Sequence, residues 1–393
     1  MKTKNFIALE GNQAVALAMK QIDPDVVAAY PITPQTEIVQ VFSEYVANGN
    51  VHTEFVTVES EHSALSACIG SSAAGARVMT ATSSQGLALM WEMLYIASGA
   101  RLPIVMTVVN RALSSPINIH CDHSDAMGAR DSGWIQLWSE TAQEAYDNLI
   151  QAIKIAESVN LPVMVNMDGF ITSHAEEMLE PLEDEDVKNF IGEYKPIRSL
   201  LDVEHPFTVG PLALQDSYFE FKRSQAEAYK KVIPAVREAA EGFARITGRK
   251  YDLFETYKLE DAEMGIIVLN STAGTAKEVV DRLREDGKKV GLLKPRLFRP
   301  LPVEDLKKAL SHLKVIGVMD RADTFGGFGG PLFGDIRSVL YDVEHRPVIV
   351  DYIYGLGGRD VTMDQIYKVF DDLDFINRTG RVESLISYIG IRE

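Results

Sequence analysis

From residue 5 to about residue 175 the chain alternates short, unbroken apolar runs with longer stretches of helical spacing. The apolar runs are "DVVAAY", "EFVTV", "RVMTATSS", "PIVMTVVN" and "PVMVNMDGF", and between them lie "EHSALSACIGSSAAGA", "GLALMWEMLYIASGA" and "ETAQEAYDNLIQAIKIAESV". Strands that run apolar without alternation are buried on both faces, so this pattern predicts a parallel sheet covered by helices on either side. Ligands of such sheets bind beyond the carboxyl ends of the strands, and functional residues are expected directly after the runs. From about residue 176 to 255 the character changes. "EEMLEPLEDEDVKNF" is acidic and broken by proline, whereas "EAYKKVIPAVREAAEGFARITGRKY" has helical spacing with mixed charge, which reads as an extended arm followed by one or two helices. From about residue 260, "MGIIVLNSTAGTAKEVVDRLREDGKKVGLL", "HLKVIGVMD" and "RPVIVDYIYG" repeat the strand–turn–helix order at smaller size. The predicted fold is α/β, with a doubly wound domain over 1–255, its helical arm starting near 176, and a smaller α/β domain over 256–393.

Charge and cysteine usage narrow the partners. With 56 acidic and 39 basic residues the 393-residue chain carries a net charge of -17, which excludes nucleic acid and an anionic membrane surface as partners. Its two cysteines, Cys68 and Cys121, are too few for a disulfide framework or a cysteine-rich metal site, and a reducing compartment is expected. The start, "MKTKNFIALEGNQ", lacks the apolar core of a signal peptide, and no apolar run approaches membrane-spanning length, so a cytoplasmic location is expected.

Three stretches carry candidate chemistry. In "AAYPITP", Pro31 and Pro34 flank Thr33 directly after a strand. Each proline fixes its own φ and pushes the preceding residue toward extended backbone, so the turn presents one hydroxyl in a preset position. In "TVESEHSALSA", Glu59 reads as a helix cap, while Glu61 opens a helix of small residues that permits close approach by a flat ligand. "VVNRALSSPINIHCDHSDAMGARDSGW" gathers Arg111, His120, Asp122, His123, Asp125, Arg130 and Asp131 after a strand, and an arginine there can hold a carboxylate through two hydrogen bonds. "HCDHSD" lacks the spacing of a helical metal site and reads as a hydrogen-bond network, so no metal ligands are assigned. In the turn "NSTAGT", Ser271 or Thr272 is expected to cap the following helix rather than bind an anion; "GSSAAGA" and "GGFGG" read as packing and loop features.

"AYPITP", "VESEHSA", "TATSSQGLALM", "NRALSSPINIHCDHSD", "RDSGWIQL", "FRPLP" and "YGLGGRD", in this order along nearly the whole chain, resemble the α subunits of the multi-subunit pyruvate:ferredoxin oxidoreductases, within the 2-oxoacid:ferredoxin oxidoreductase family. The resemblance implies a thiamine-diphosphate-binding fold, with a pyrimidine-binding domain followed by a transketolase C-terminal-like domain. It implies decarboxylation of a 2-oxoacid, passage of electrons through iron–sulfur clusters to ferredoxin, and formation of acyl-coenzyme A. Glu61 matches the glutamate that hydrogen-bonds the aminopyrimidine ring of the cofactor, Thr33 the threonine at the substrate, and Arg111 the arginine that grips the substrate carboxylate; Pro31 and Ile32 belong to the same cofactor-side turn. No Gly-Asp-Gly segment with a following metal-binding asparagine is present, so the resemblance implies that a diphosphate-binding β subunit holds the diphosphate and its divalent cation. Clusters are implied for partner subunits, γ and a ferredoxin-like δ, because two cysteines cannot ligate one; the chain alone is expected to be inactive. Thr33 and Ser114 stand where oxalate-using relatives carry arginine and aspartate, which favours pyruvate. Branched-chain or 2-oxoglutarate enzymes of the same family, the β-type chain of a 2-oxoacid dehydrogenase and a non-catalytic scaffold are the alternatives. Two further readings are that His120 and His123 line a substrate or coenzyme A channel, with structurally satisfied histidines as the alternative, and that residues 215–250 form an assembly arm without a core of their own.

Overall fold

The unbroken apolar runs become the strands of two sheets. The computed structural model describes residues 5–392. A seven-stranded sheet has the order Leu297–Arg299, Ile135–Ser139, Val163–Asp168, Val105–Asn110, Val78–Thr82, Val26–Ala29, Glu54–Thr57. Neighbours run parallel throughout, except that Leu297–Arg299 pairs antiparallel with Ile135–Ser139. Every residue of Val78–Thr82, Val105–Asn110 and Val163–Asp168 is buried, which is why these strands read as continuous apolar runs. Helices Gly11–Ile22, Thr36–Ala47 and Ala142–Val159 cover one face around Ile22, Phe42, Tyr146 and Ile150, and Glu61–Ala73 with Trp91–Gly99 cover the other around Leu65, Leu94 and Trp134. The long helix Ala142–Val159 has clear stops: Thr141 Oγ1 accepts from Glu144 N at 3.1 Å, and Asn160 ends it in the left-handed conformation that asparagine tolerates.

A second sheet, ordered Ile386–Ile389, Val348–Tyr354, Val315–Asp320, Met264–Val268, Val290–Pro295, Phe254–Tyr257, is parallel apart from its last strand. Val303–Leu310 and Pro331–Val339 pack on one face, Thr272–Glu285 and Met363–Thr379 on the other. The chain crosses between the sheets within "KPRLF": Val290–Pro295 belongs to the second, Leu297–Arg299 to the first. The crossing is bolted by Lys294, whose buried ammonium lies 2.6 Å from Glu140, 2.5 Å from Glu144 and 3.0 Å from Glu255. No helix among the described residues is long and apolar enough to cross a membrane.

The segment 215–250 departs from the expected free arm. It contains helices Tyr218–Tyr229 and Val232–Thr247, and the second of these buries Val232, Val236, Ala239 and Phe243 in the core of the first sheet. Their spacing is one amphipathic stripe, which the mixed charges between them obscure. Exposed apolar residues lie ahead of the second helix: Ile197, Leu201, Val203, Leu212 and Phe219 are each at least 77% exposed among the described residues. Phe243→Ala is therefore expected to lower the unfolding free energy by about 3–5 kcal/mol in chemical denaturation. Phe219→Ala should change it by less than about 0.5 kcal/mol.

Candidate active site

Four neighbouring parallel strands, Glu54–Thr57, Val26–Ala29, Val78–Thr82 and Val105–Asn110, open their carboxyl ends onto one rim. Thr33, Glu61, Gly86 and Arg111 therefore arrive at the same edge from four different connections. The Thr33 turn is held by more than its prolines. Gln35 N donates to Ile32 O at 2.7 Å, Ile32 N donates to Gln35 Oε1 at 3.2 Å, and Asn12 Nδ2 donates to Pro34 O at 2.8 Å. Arg111 Nη1 donates to Thr33 O at 2.9 Å, so two residues 78 apart in sequence meet directly. Pro34 is buried, whereas Pro31 and Thr33 face outward. Asn12, in a helix, and Gln35, in the turn before one, are both fully buried and escaped sequence reasoning because a lone polar residue carries no signal of where it points.

Helix Glu61–Ala73 starts from Ser60, whose Oγ accepts from Ser63 N at 3.2 Å, and Glu59 in turn accepts from Ser63 Oγ at 2.6 Å. Capping thus falls to Ser60, with Glu59 in support. Glu61 is only 7% exposed, yet its carboxylate has no hydrogen-bond or ion-pair partner among the described residues. It lies over Gly86, where a Cβ would come within 2.8 Å of Glu61 Oε1 and 2.5 Å of Thr82 Oγ1. The hydroxyls of Thr82 and Ser83 are also buried without partners. Leaving buried polar groups unpaired costs free energy, so a carboxylate and two hydroxyls left open together outline a place for a polar, flat ligand. Beyond them the surface turns apolar at Leu89 and Trp91, which are 51% and 46% exposed.

Arg111 is oriented from both ends. Its Nε donates to Asn118 O at 2.9 Å, and its backbone N donates to Asp125 Oδ2 at 3.0 Å. Asp125 also accepts from Ser84 N at 3.0 Å, Asn110 Nδ2 at 2.9 Å and Ala126 N at 2.7 Å. Burial pushes the Asp125 carboxyl up to about 6 against the opposing pull of these donors. No carboxylate pairs with the Arg111 guanidinium among the described residues, and its Nη2 remains free to hold an anion.

The two histidines separate. His120 is exposed and stacks on Phe170 with ring centroids 5.0 Å apart. His123 is 1% exposed and lines no channel: its Nε2 lies 2.8 Å from Asp168 Oδ1. Asp168 also accepts from Asn270 Nδ2 at 2.9 Å, Arg321 Nη1 at 3.3 Å, and both the backbone N and hydroxyl of Ser271. Burial alone would raise the Asp168 carboxyl, but His123, Arg321 and Ser271 hold it far below the usual carboxylate range. Ser271 thus spends its hydroxyl on a carboxylate of the first unit and does not cap its own helix, contrary to expectation. Cys121, His123 and Asp168 lie close enough to share a metal ion, but the Asp168 oxygens are already engaged by N–H and O–H donors, making this a buried junction between the two units. The "GGFGG" loop leads into a helix whose first N–H groups are taken by Asp320 and Asp351.

This geometry meets an independent comparison. The family model described as pyruvate flavodoxin/ferredoxin oxidoreductase, thiamine diP-bdg, matches residues 17–241, and that of the pyruvate:ferredoxin oxidoreductase core domain II matches residues 262–366. The chain belongs to the pyruvate:ferredoxin oxidoreductase family. It is 56% identical to the pyruvate synthase subunit PorA of Thermotoga maritima over 98% of both chains. It is 45% identical to PorA of Pyrococcus furiosus, over 98% of this chain and 97% of that one, and 43% identical to the ketoisovalerate oxidoreductase subunit VorA of Pyrococcus horikoshii, over 98% of both. In fold it resembles a 2-oxoglutarate:ferredoxin oxidoreductase from Magnetococcus marinus, with a TM-score of 0.73 at 24% identity, covering 94% of this chain and 66% of that one. A split-gene transketolase aligns with a TM-score of 0.57 at 12% identity, over 95% of this chain and 100% of that one. As a pyruvate:ferredoxin oxidoreductase family member the chain has a thiamine-diphosphate-binding domain ahead of a second α/β unit, as its motifs implied. The open Glu61, Thr82 and Ser83 groups fit such a cofactor, because an aminopyrimidine offers both hydrogen-bond donors and acceptors to a buried carboxylate and hydroxyls.

Asp125 gives this site a pH signature. Its folded value of about 6 lies above the ordinary 3.8, so its protonated form is favoured by folding. The resulting stability is fully present below about pH 4 and is lost as pH rises through about 6. Wild-type stability measured relative to Asp125→Asn should therefore fall between about pH 4 and pH 6, by at most about 1.4 kcal/mol per pH unit. A difference independent of pH would contradict the assignment.

Proposed function

We propose that this chain is the α subunit of a pyruvate:ferredoxin oxidoreductase, converting pyruvate, coenzyme A and oxidised ferredoxin to acetyl-coenzyme A, carbon dioxide and reduced ferredoxin. The observation that carries the reading is the buried Glu61 carboxylate, left without a partner over Gly86 on the rim that also bears Thr33 and Arg111. Thiamine diphosphate, when bound, supplies a carbon nucleophile and an electron sink for loss of carbon dioxide. Glu61 holds a proton at the pyrimidine ring nitrogen, Pro31 and Ile32 wall the cofactor side of the turn, and Thr33 directs its hydroxyl at the substrate keto oxygen. Arg111 grips the substrate carboxylate through the guanidinium face that Asn118 O and Thr33 O leave open.

The same reading makes the chain half of a site. A diphosphate-binding β subunit supplies the cation site and covers Leu89 and Trp91. A γ subunit and a ferredoxin-like δ subunit complete the complex, and the iron–sulfur clusters lie in the partners, since Cys68 and Cys121 are single, buried thiols in separate places. Both being free thiols supports the cytoplasm as the location. Pyruvate is favoured over branched-chain acids by the higher identity to a pyruvate synthase subunit, 56% against 43% to a ketoisovalerate one.

The anaerobically purified complex is expected to reduce a viologen dye only when pyruvate and coenzyme A are both present. Glu61→Gln should lower kcat by roughly 10²–10⁴-fold. Arg111→Ala should raise the KM for pyruvate by roughly tenfold or more. Near-normal turnover of Glu61→Gln would return Glu61 to a structural role, and a preference for 2-oxoisovalerate over pyruvate would replace the substrate.

A further inference from the structure

The turn at residues 355–358 of the second unit reaches across to the loop that follows Arg111. Gly357 and Gly358 hold φ of +62° and +78°, and both press on that loop: a Cβ on Gly357 would lie 2.4 Å from Asn118 Nδ2, and one on Gly358 would lie 2.3 Å from His120 Cβ. Hydrogen bonds accompany the contact. Asn118 Nδ2 donates to Gly357 O at 3.0 Å, Gly357 N donates to Asp122 Oδ2 at 3.3 Å, and Arg321 Nε donates to Gly355 O at 3.2 Å. On the other side of the loop, Asn118 O accepts Arg111 Nε at 2.9 Å, while Asn118 Oδ1 accepts His120 N at 2.7 Å. The loop closes on itself where Ala112 N donates to His120 O at 3.0 Å, but its tip from Ser114 to Ile117 is exposed. Asn118 is thus the residue where the guanidinium, the loop and the second unit meet.

We propose that Asn118 is a positioning residue for the 2-oxoacid, and that the second α/β unit acts through Gly357 to set the plane of the Arg111 guanidinium. An arginine holds a carboxylate well only when its fork is preset; otherwise substrate binding must also freeze its rotamers. Two carbonyls, Thr33 O and Asn118 O, set that fork. The first belongs to the cofactor-side turn, and the second is held in place by a different folding unit. Release of the Gly357 contact frees the loop without touching Arg111 itself. Binding that is equally strong in the ground state and the transition state appears in KM alone, so the defect should be confined to KM for the oxoacid.

This inference rests on Arg111 holding the substrate carboxylate, and the experiment separates the two. In the assembled holoenzyme, Asn118→Ala is expected to raise the KM for pyruvate about tenfold, the effect of losing one hydrogen bond's worth of orientation. kcat and the KM for coenzyme A should stay within about twofold. Gly357→Ala, which collides with Asn118 Nδ2, should show the same signature, and the double variant should be no worse than the worse single one. Asn118→Asp keeps the acceptor for His120 N but loses the donor to Gly357 O, and should share the defect. A normal KM in Asn118→Asp, or a fall in kcat with KM unchanged in all three variants, would overturn the positioning role. If Arg111→Ala raises KM and the Asn118 and Gly357 variants do not, the positioning role alone fails. If Arg111→Ala leaves KM for pyruvate unchanged, the carboxylate grip fails and the positioning role falls with it.

Discussion

A carboxylate buried at residue 125 accepts four N–H groups and touches no cation, and the candidate site is built around it. Through one oxygen it joins the backbone of Ser84 to that of Arg111, welding the ends of two neighbouring strands. Ser84 sits there with φ of +47°, a conformation costly for a residue with a side chain, and its hydroxyl is tied to Ala112 O at 2.6 Å. Two residues later Gly86 passes under Glu61 with no room for a methyl group. One buried charge therefore sets both the floor under Glu61 and the backbone from which Arg111 projects. The raised pKa of Asp125 is the free-energy cost of that arrangement.

The charged groups of the junction and those of the rim differ in how fully they are paired. At the junction of the two units, Asp168 is engaged by His123, Asn270, Ser271 and Arg321, and Lys294 by three glutamates. These contacts tie the two units together. At the rim, by contrast, Glu61, Thr82, Ser83 and the outer nitrogen of Arg111 are open. Single unpaired atoms also occur elsewhere in the interior, such as Trp138 Nε1 and Tyr354 OH, but the rim combines them with a buried carboxylate and an arginine nitrogen left open. Leu89 and Trp91, which follow Gly86 along the chain, are exposed apolar residues, the surface that the proposed function assigns to a partner subunit.

The parallel sheets and their order of alternation were legible because each leaves a local trace, and the candidate residues because the motifs around them resemble a known family. Unbroken apolar runs report strands, and Thr33, Glu61 and Arg111 each come soon after one, although the run ahead of Glu61 turns out to be the half-exposed edge strand Glu54–Thr57. The supports of those residues leave no such trace. Asn12, Gln35, Asn118 and Gly86 are ordinary in sequence and matter only through contacts made across the fold. His123 does belong to a hydrogen-bond network, as "HCDHSD" reads, but its partner Asp168 lies 45 residues away at the end of another strand, where sequence gives no pointer to it. Ser271 misled in the same way: a helix-cap residue by position, it is claimed by a carboxylate of the other unit. The helix Val232–Thr247 was expected, but the charges between its buried positions obscured that it packs into the first core.

On the proposed function, this chain presents one half of a cofactor site whose open groups need both the cofactor and a partner. Equilibrium binding of thiamine diphosphate, with its divalent cation, to the isolated chain, to the diphosphate-binding subunit and to the two together tests it most directly. Tight binding is expected only for the two together, and Glu61→Gln or Gly86→Ala should weaken it. Binding to the isolated chain as tight as to the assembled pair, or indifference to both substitutions, would contradict the account.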